Sequence, residues 1–76
     1  MARRTVRLTF RGESLNDPII YRLGKDFKVV TNIRRADVAE GSGWVELDMD
    51  GAKGEVDRAL EYCRSRGIGV QLLEPQ

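Results

Sequence analysis

Along this chain the spacing of apolar positions switches between two periods. Val6, Leu8 and Phe10 alternate with Thr5, Arg7, Thr9 and Arg11, the pattern of a strand with one buried face. It predicts a first strand over residues 3–11, followed by a loop from Gly12 to Asn16. Asp17 suits a helix N-cap, and Pro18 suits the first helical position, where its missing N–H would be unpaired anyway. Ile20, Leu23 and Phe27 then recur at spacings of three and four, so one face of a short helix turns inward. Gly24 weakens that helix and argues for an end near Lys25 or Asp26.

A second strand is predicted over residues 28–38. Val29, Thr31 and Ile33 share one face and Val30, Asn32 and Arg34 the other, with Ile33 assigned to the core side. Glu40-Gly41-Ser42-Gly43 reads as a hairpin turn. In the third strand Val45, Leu47 and Met49 face inward, while Trp44, Glu46 and Asp48 face the other way. A longer helix runs from about Gly51 to Arg66, with Ala52, Val56, Ala59, Leu60 and Cys63 as its inward stripe. Gly67 ends it, and Arg64 and Arg66 lie near the negative end of its dipole. Ile68 to Leu73 forms the last strand, with Val70 and Leu72 inward; the first few residues and Pro75-Gln76 read as loose ends.

The order is βαββαβ, the ferredoxin-like unit. We therefore expect an α+β sandwich over residues 1–76, with two helices on one face of a four-stranded antiparallel sheet ordered 4-1-3-2. Strand 2 is then an edge, with backbone groups open to another chain. This layout serves many unrelated activities, so function must be argued from particular residues.

At 76 residues the chain supports one modest core, and both helices are needed to cover one sheet face. A ligand site is expected at an edge or a subunit interface rather than in a deep interior pocket. No apolar run reaches bilayer length, and the start does not read as a signal peptide. Cys63 is the single cysteine, which excludes an internal disulfide and favours the cytoplasm as the compartment. There is no histidine, so the commonest general base is missing, and no zinc or iron–sulfur site can be assembled by this chain alone. We expect no enzyme, no metal and no cofactor.

Net charge is +1 but unevenly spread. Residues 1–35 carry nine basic and three acidic side chains, and residues 36–76 carry four basic and nine acidic ones, a balance of +6 against −5. That asymmetry fits either an anionic partner or compensation between neighbouring strands. In the second case Arg7 and Thr9 sit across from Glu46 and Asp48.

Trp44 on the uncovered sheet face is a candidate contact for a ligand or partner; its alternative is packing on arginine stems or Leu73. Gly41-Ser42-Gly43-Trp44-Val45-Glu46-Leu47 invites comparison with the third strand of RNA-recognition motifs. Glu40 replaces the basic residue of that signature and only Trp44 is left to stack, so we expect no nucleic-acid partner. Cys63 reads as a small buried hydrophobe. Asn32 goes against strand propensity and offers both a donor and an acceptor near an open edge.

Across nearly its whole length the chain resembles the NIL domain. The matching stretches are Val6-Arg7-Leu8-Thr9-Phe10, Pro18, Phe27-Lys28-Val29 ahead of Asn32-Ile33, Val45-Glu46-Leu47 followed by Gly51, and Gly67-Ile68-Gly69-Val70. In one branch of that family the domain lies at the C-terminus of methionine-importer ATPases, binds methionine, dimerises and inhibits transport. In a second branch it precedes an iron–sulfur ferredoxin module and is associated with sulfur metabolism. Tyr21 to Phe27 and Asn32 to Val38 look more like the second branch.

Arg34 replaces the leucine usual in importers, and the Glu40–Gly43 hairpin is shorter and lacks their proline–aromatic pair. This sequence carries neither an ATPase nor a cysteine cluster after Leu73, which fits a free-standing member or one module of a longer protein. The resemblance implies a homodimeric, non-catalytic regulatory domain for methionine or a related sulfur amino acid, with Asn32, Ile33, Arg34, Pro18 and Trp44 as its contacts. The other reading is a docking module for a ferredoxin-type, transporter-type or sulfur-metabolism partner.

Overall fold

Alternation and helical spacing translate directly into layers. The computed structural model describes residues 2–73. It contains strands β1 (Ala2–Arg11), β2 (Val29–Ala39), β3 (Ser42–Gly51) and β4 (Gly69–Leu72), and helices α1 (Ile19–Asp26) and α2 (Lys53–Ser65). All strand pairs are antiparallel and the sheet runs β2-β3-β1-β4, the expected order read from its other end. Pro75 and Gln76 lie outside the described residues.

Val6, Leu8, Leu47 and Met49 on the central strands are fully buried against Ile19 and Leu23 of α1 and Val56, Ala59, Leu60 and Cys63 of α2. Each valine, leucine, isoleucine or methionine among them contributes about 1.5–3 kcal/mol by leaving water. Phe27 and Tyr62 extend this layer between the helices, their ring centroids 5.5 Å apart.

Several local expectations are corrected. Gly12–Asn16 is a 3₁₀ turn, held by the Ser14 hydroxyl, which accepts from the Arg11 N–H and donates to the Arg11 carbonyl. Asp17 does not cap α1. Pro18 occupies the N-cap position, and the Asp17 carboxylate turns instead to Arg66 beyond α2. There it meets two guanidiniums, Arg66 at 2.9 Å and Arg22 at 3.5 Å, rather than the helix N–H groups. Ile19 rather than Ile20 is the fully buried residue of the first turn, one helical turn before Leu23, while Ile20 packs partly buried at the edge of the core.

Likewise β3 runs on to Gly51, so α2 begins at Lys53 and Ala52 is exposed. A Cβ at Gly51 would lie 2.7 Å from the Lys28 carbonyl oxygen, a close approach that only glycine permits. The hairpin is tighter than expected. β2 ends at Ala39 and β3 starts at Ser42, and Gly41 takes φ +79° in the turn. Across β1 and β3, Arg7 does face Glu46, but Thr9 faces Trp44, and Asp48 faces Thr5.

Ile33 points to the helix side, opposite Leu47, yet is 55% exposed. The two helices cover β1 and β3 and leave the outer half of β2 bare. Leu72, also on the helix side opposite Val6, is 39% exposed at the other edge.

Candidate functional site

Two surfaces carry the chemistry, and the hairpin joins them. The first is the uncovered sheet face, where β1, β3 and β2 present a ladder of cross-strand ion pairs. Arg3 bonds Asp50 at 2.8 Å, and the Thr5 hydroxyl donates to Asp48 at 2.6 Å. Arg7 pairs with Glu46, whose other oxygen accepts from Arg35 at 2.9 Å. The Asp48 carboxylate also takes Arg34 at 3.0 Å.

Arg35 and Arg7 hold the Glu46 carboxyl below its ordinary range, and the Thr5 hydroxyl followed by Arg34 does the same for Asp48. The Trp44 ring lies under the Arg7 guanidinium, 4.5 Å from its centroid, and near Arg35 at 5.6 Å. Trp44 is thus held by arginines of its own sheet.

Neighbouring arginines on one strand cannot normally share a face. Here the β2–β3 pairing passes from Ile33–Leu47 to Arg35–Glu46 through a bulge, with Arg34 as the extra residue. Both guanidiniums therefore reach the open face. Asn32 lies just before the bulge on that face, opposite Asp48, and is exposed.

The second surface is an apolar hollow of about 230 Å³ beside the hairpin, walled by Phe10, Leu15, Ile20, Tyr21, Val38 and Val45, with Pro18 and Trp44 among its lining. No side-chain cap closes the start of α1; the Ile19 N–H donates to the Asp17 carbonyl at 2.7 Å, and the next two residues of that turn, Ile20 and Tyr21, both line the hollow. Asp17, also in the lining, would repel an anion there. However, Arg66 sits 2.9 Å from its Oδ2, Arg22 sits 3.5 Å from its Oδ1, and Oδ1 is buried with no hydrogen-bond donor. Two guanidiniums around one carboxylate offset its charge.

The structure thus brings Pro18 and Trp44 to one hollow and sets Asn32, Ile33 and Arg34 along β2, outside its lining. Sequence reasoning missed Leu15, Tyr21 and Val38. The available signal was a lone apolar residue inside a polar loop at Leu15 and apolar residues on faces not assigned to the core. Among the described residues no group of three His, Cys, Asp or Glu side chains is placed to hold a metal ion. No described helix is long and apolar enough to cross a membrane.

These features define a class: a small ferredoxin-like sandwich with a bare edge strand and an apolar recess beside its hairpin. Within it, the chain belongs to the NIL domain family, which it matches over residues 4–72. It is 34% identical over 74 residues to the methionine import ATP-binding protein MetN of Halalkalibacterium halodurans, covering 92% of this chain and 22% of that protein. To MetN 1 of Bacillus cereus it is 36% identical over 70 residues, covering 87% of this chain and 20% of that one. The chain spans about a fifth of the length of the curated relatives it matches. The C-terminal domain of an ABC transporter ATP-binding protein from Enterococcus faecalis has the same fold, with a TM-score of 0.78 at 19% identity, covering 96% of this chain and 86% of that one.

Proposed function

We propose that this chain is a non-catalytic regulatory domain that binds methionine or a related sulfur amino acid and acts as a dimer. The observation that carries the reading is the apolar hollow beside the uncapped first turn of α1. An unbranched apolar side chain suits the walls, and an α-carboxylate suits free N–H groups at a helix start. Membership of a family that occurs in methionine import ATP-binding proteins supports the same ligand class. Asn32, with its exposed amide on the edge strand, is proposed as a further ligand contact contributed at the dimer seam, together with Ile33 and Arg34.

The alternative, a docking module with no ligand, is favoured by the +6/−5 charge split and by Trp44 on the open face, but Trp44 lies against Arg7 and Arg35 of its own sheet. Much of that split is consumed within the chain, since Arg3, Arg7, Arg34 and Arg35 all pair with acidic residues of β3. Little unpaired field remains on this face to steer a partner.

Thermal unfolding with a panel of amino acids, L-methionine and homocysteine included, tests the reading. A ligand at about 100 times its dissociation constant stabilises by roughly 2.7 kcal/mol, which is several degrees for a domain of this size. A selective rise with methionine or a close relative is expected; a flat response at millimolar ligand overturns the reading. Asn32→Ala is expected to weaken the shift, and an unchanged shift removes that residue from the site.

A further inference from the structure

The hollow beside the hairpin is apolar but for one group: of the residues that line it, Asp17 alone is charged. Its side chain is 9% exposed, and its two carboxylate oxygens are served unequally. Oδ2 accepts from Arg66 Nε at 3.0 Å. Oδ1 is buried and accepts no hydrogen bond from any described residue; Arg22 lies 3.5 Å away without forming one. A buried carboxylate oxygen has given up its hydration and ordinarily regains a donor from its surroundings. Phe10, Tyr21 and Trp44 in the same lining carry negative ring faces, which also favour a cation over an anion.

We propose that Asp17 sets the specificity of this hollow by taking a primary amine: the ligand's ammonium group donates to Asp17 Oδ1, and its unbranched apolar chain lies among Leu15, Ile20 and Val38. The inference rests on the amino-acid reading above and names the group by which such a ligand is held. An ammonium on Oδ1 forms a charge-assisted hydrogen bond away from water, where such a bond is strong. The half-exposed guanidiniums of Arg22 and Arg66 do not cancel the attraction, because solvent screens them more than it screens the buried oxygen.

Like charge keeps the ligand carboxylate away from Asp17. A place for it lies close by. Asp17 and Pro18 line both the apolar hollow and a polar recess that holds Ser14, Asn16 and Arg22. An α-amino acid carries its two charges on one carbon, so it spans this shared wall. Its chain enters the hollow, its amine meets Asp17, and its carboxylate turns to Arg22 and the first turn of α1. The result is a preference that apolar walls cannot supply. Methionine and its deaminated analogue share a chain and a carboxylate, and only the amine tells them apart.

Titration calorimetry of the wild-type chain with three ligands tests this: L-methionine, its decarboxylated analogue, which keeps the amine, and its deaminated analogue, which keeps the carboxylate. The amine is expected to bind within about tenfold of methionine, and the deaminated acid about a hundredfold or more weaker, because a site that hydrogen-bonds a ligand N–H rejects the analogue lacking it. A deaminated acid that binds like methionine overturns the proposal and leaves the amino-acid reading standing. So does an amine that binds no better than the deaminated acid. Binding of the amine alone keeps the role of Asp17 and overturns the amino-acid reading. No binding of any of the three at millimolar concentration overturns both.

Asp17→Asn keeps the shape of the side chain and removes its charge. It is expected to weaken methionine and the amine about tenfold or more, without weakening the deaminated acid. Equal losses for all three ligands, or an unchanged affinity for methionine, overturn the assignment. Arg22→Ala is expected to weaken methionine and spare the amine; equal losses for the two overturn the place given to the carboxylate. The three-ligand series needs no variant, so it decides the matter even if Asp17→Asn, which weakens the hold on Arg66, lowers the melting temperature.

Discussion

The two faces of this sheet are built from the same strands and do different work. On the helix side Val6, Leu8, Leu47 and Met49 are shut off from water. On the other side, one residue along in each case, Thr5, Arg7, Glu46 and Asp48 form a hydrogen-bonded, charge-paired ladder. The first face stabilises the fold through an effect that is non-directional and scales with area. The second contributes less energy, because each ion pair gives up hydration to form, but it is directional and fixes which residue meets which. Strand alternation makes both from one stretch of chain. The consequence is that the bulge in β2, which breaks the alternation once, is where Arg34 and Arg35 come to share a face.

The largest effect expected from breaking this contrast is at the dry face. Leu47→Ala should cost about 2–5 kcal/mol, read as a lower urea midpoint with an unchanged slope. Substitution of Arg3, exposed at the far end of the ladder, should move the midpoint little. Next in size is Gly51→Ala, whose new methyl meets the Lys28 backbone; overpacking of this kind costs about 1–3 kcal/mol. If Gly51→Ala melts like the wild type, the close approach of β2 to β3 at that point is wrong.

A smaller effect is expected from acid. The Glu46 and Asp48 carboxyls sit below their ordinary values in the folded chain. Their stabilising contribution is therefore complete above the unfolded carboxylate value near 4 and is lost as pH falls through the lowered folded values. Glu46→Gln should melt below wild type at neutral pH, show a flatter fall in melting temperature through that window and converge on wild type at low pH; an equally steep acid limb in the variant would remove Glu46 as a cause.

The subtlest test concerns Cys63 at the centre of the dry face. Burial pushes its thiol up to about 11, so thiol reagents at pH 8 should label it only through opening of the domain. Its labelling rate should rise with urea as the folded fraction falls. Fast labelling in native buffer would show that the helix layer is open.

Much of the fold could be read directly from periodicity. The order of elements, the sheet order, the inward stripe of α2 and the Arg7–Glu46 opposition all follow from spacing and composition. What failed was position at the ends. Asp17 has the residue type of an N-cap, but Arg66, 49 positions away in sequence, claims its carboxylate. Ile33 has the right face, but that face is bare at an edge strand. The hollow was less legible still, since Leu15, Tyr21 and Val38 belong to three separate elements and no local pattern joins them.

The sequence by itself determined which residues alternate, where helices start and stop to within a few positions, and which topology can bury both apolar stripes at once. These follow from local sterics and from the need to remove apolar surface from water. Only the tertiary structure decided where the bulge falls, which carboxylates the arginines reach, and that α1, the hairpin and β2 enclose a recess. Those outcomes depend on groups far apart in the chain meeting at ångström distances, and no pattern along a single strand or helix encodes that.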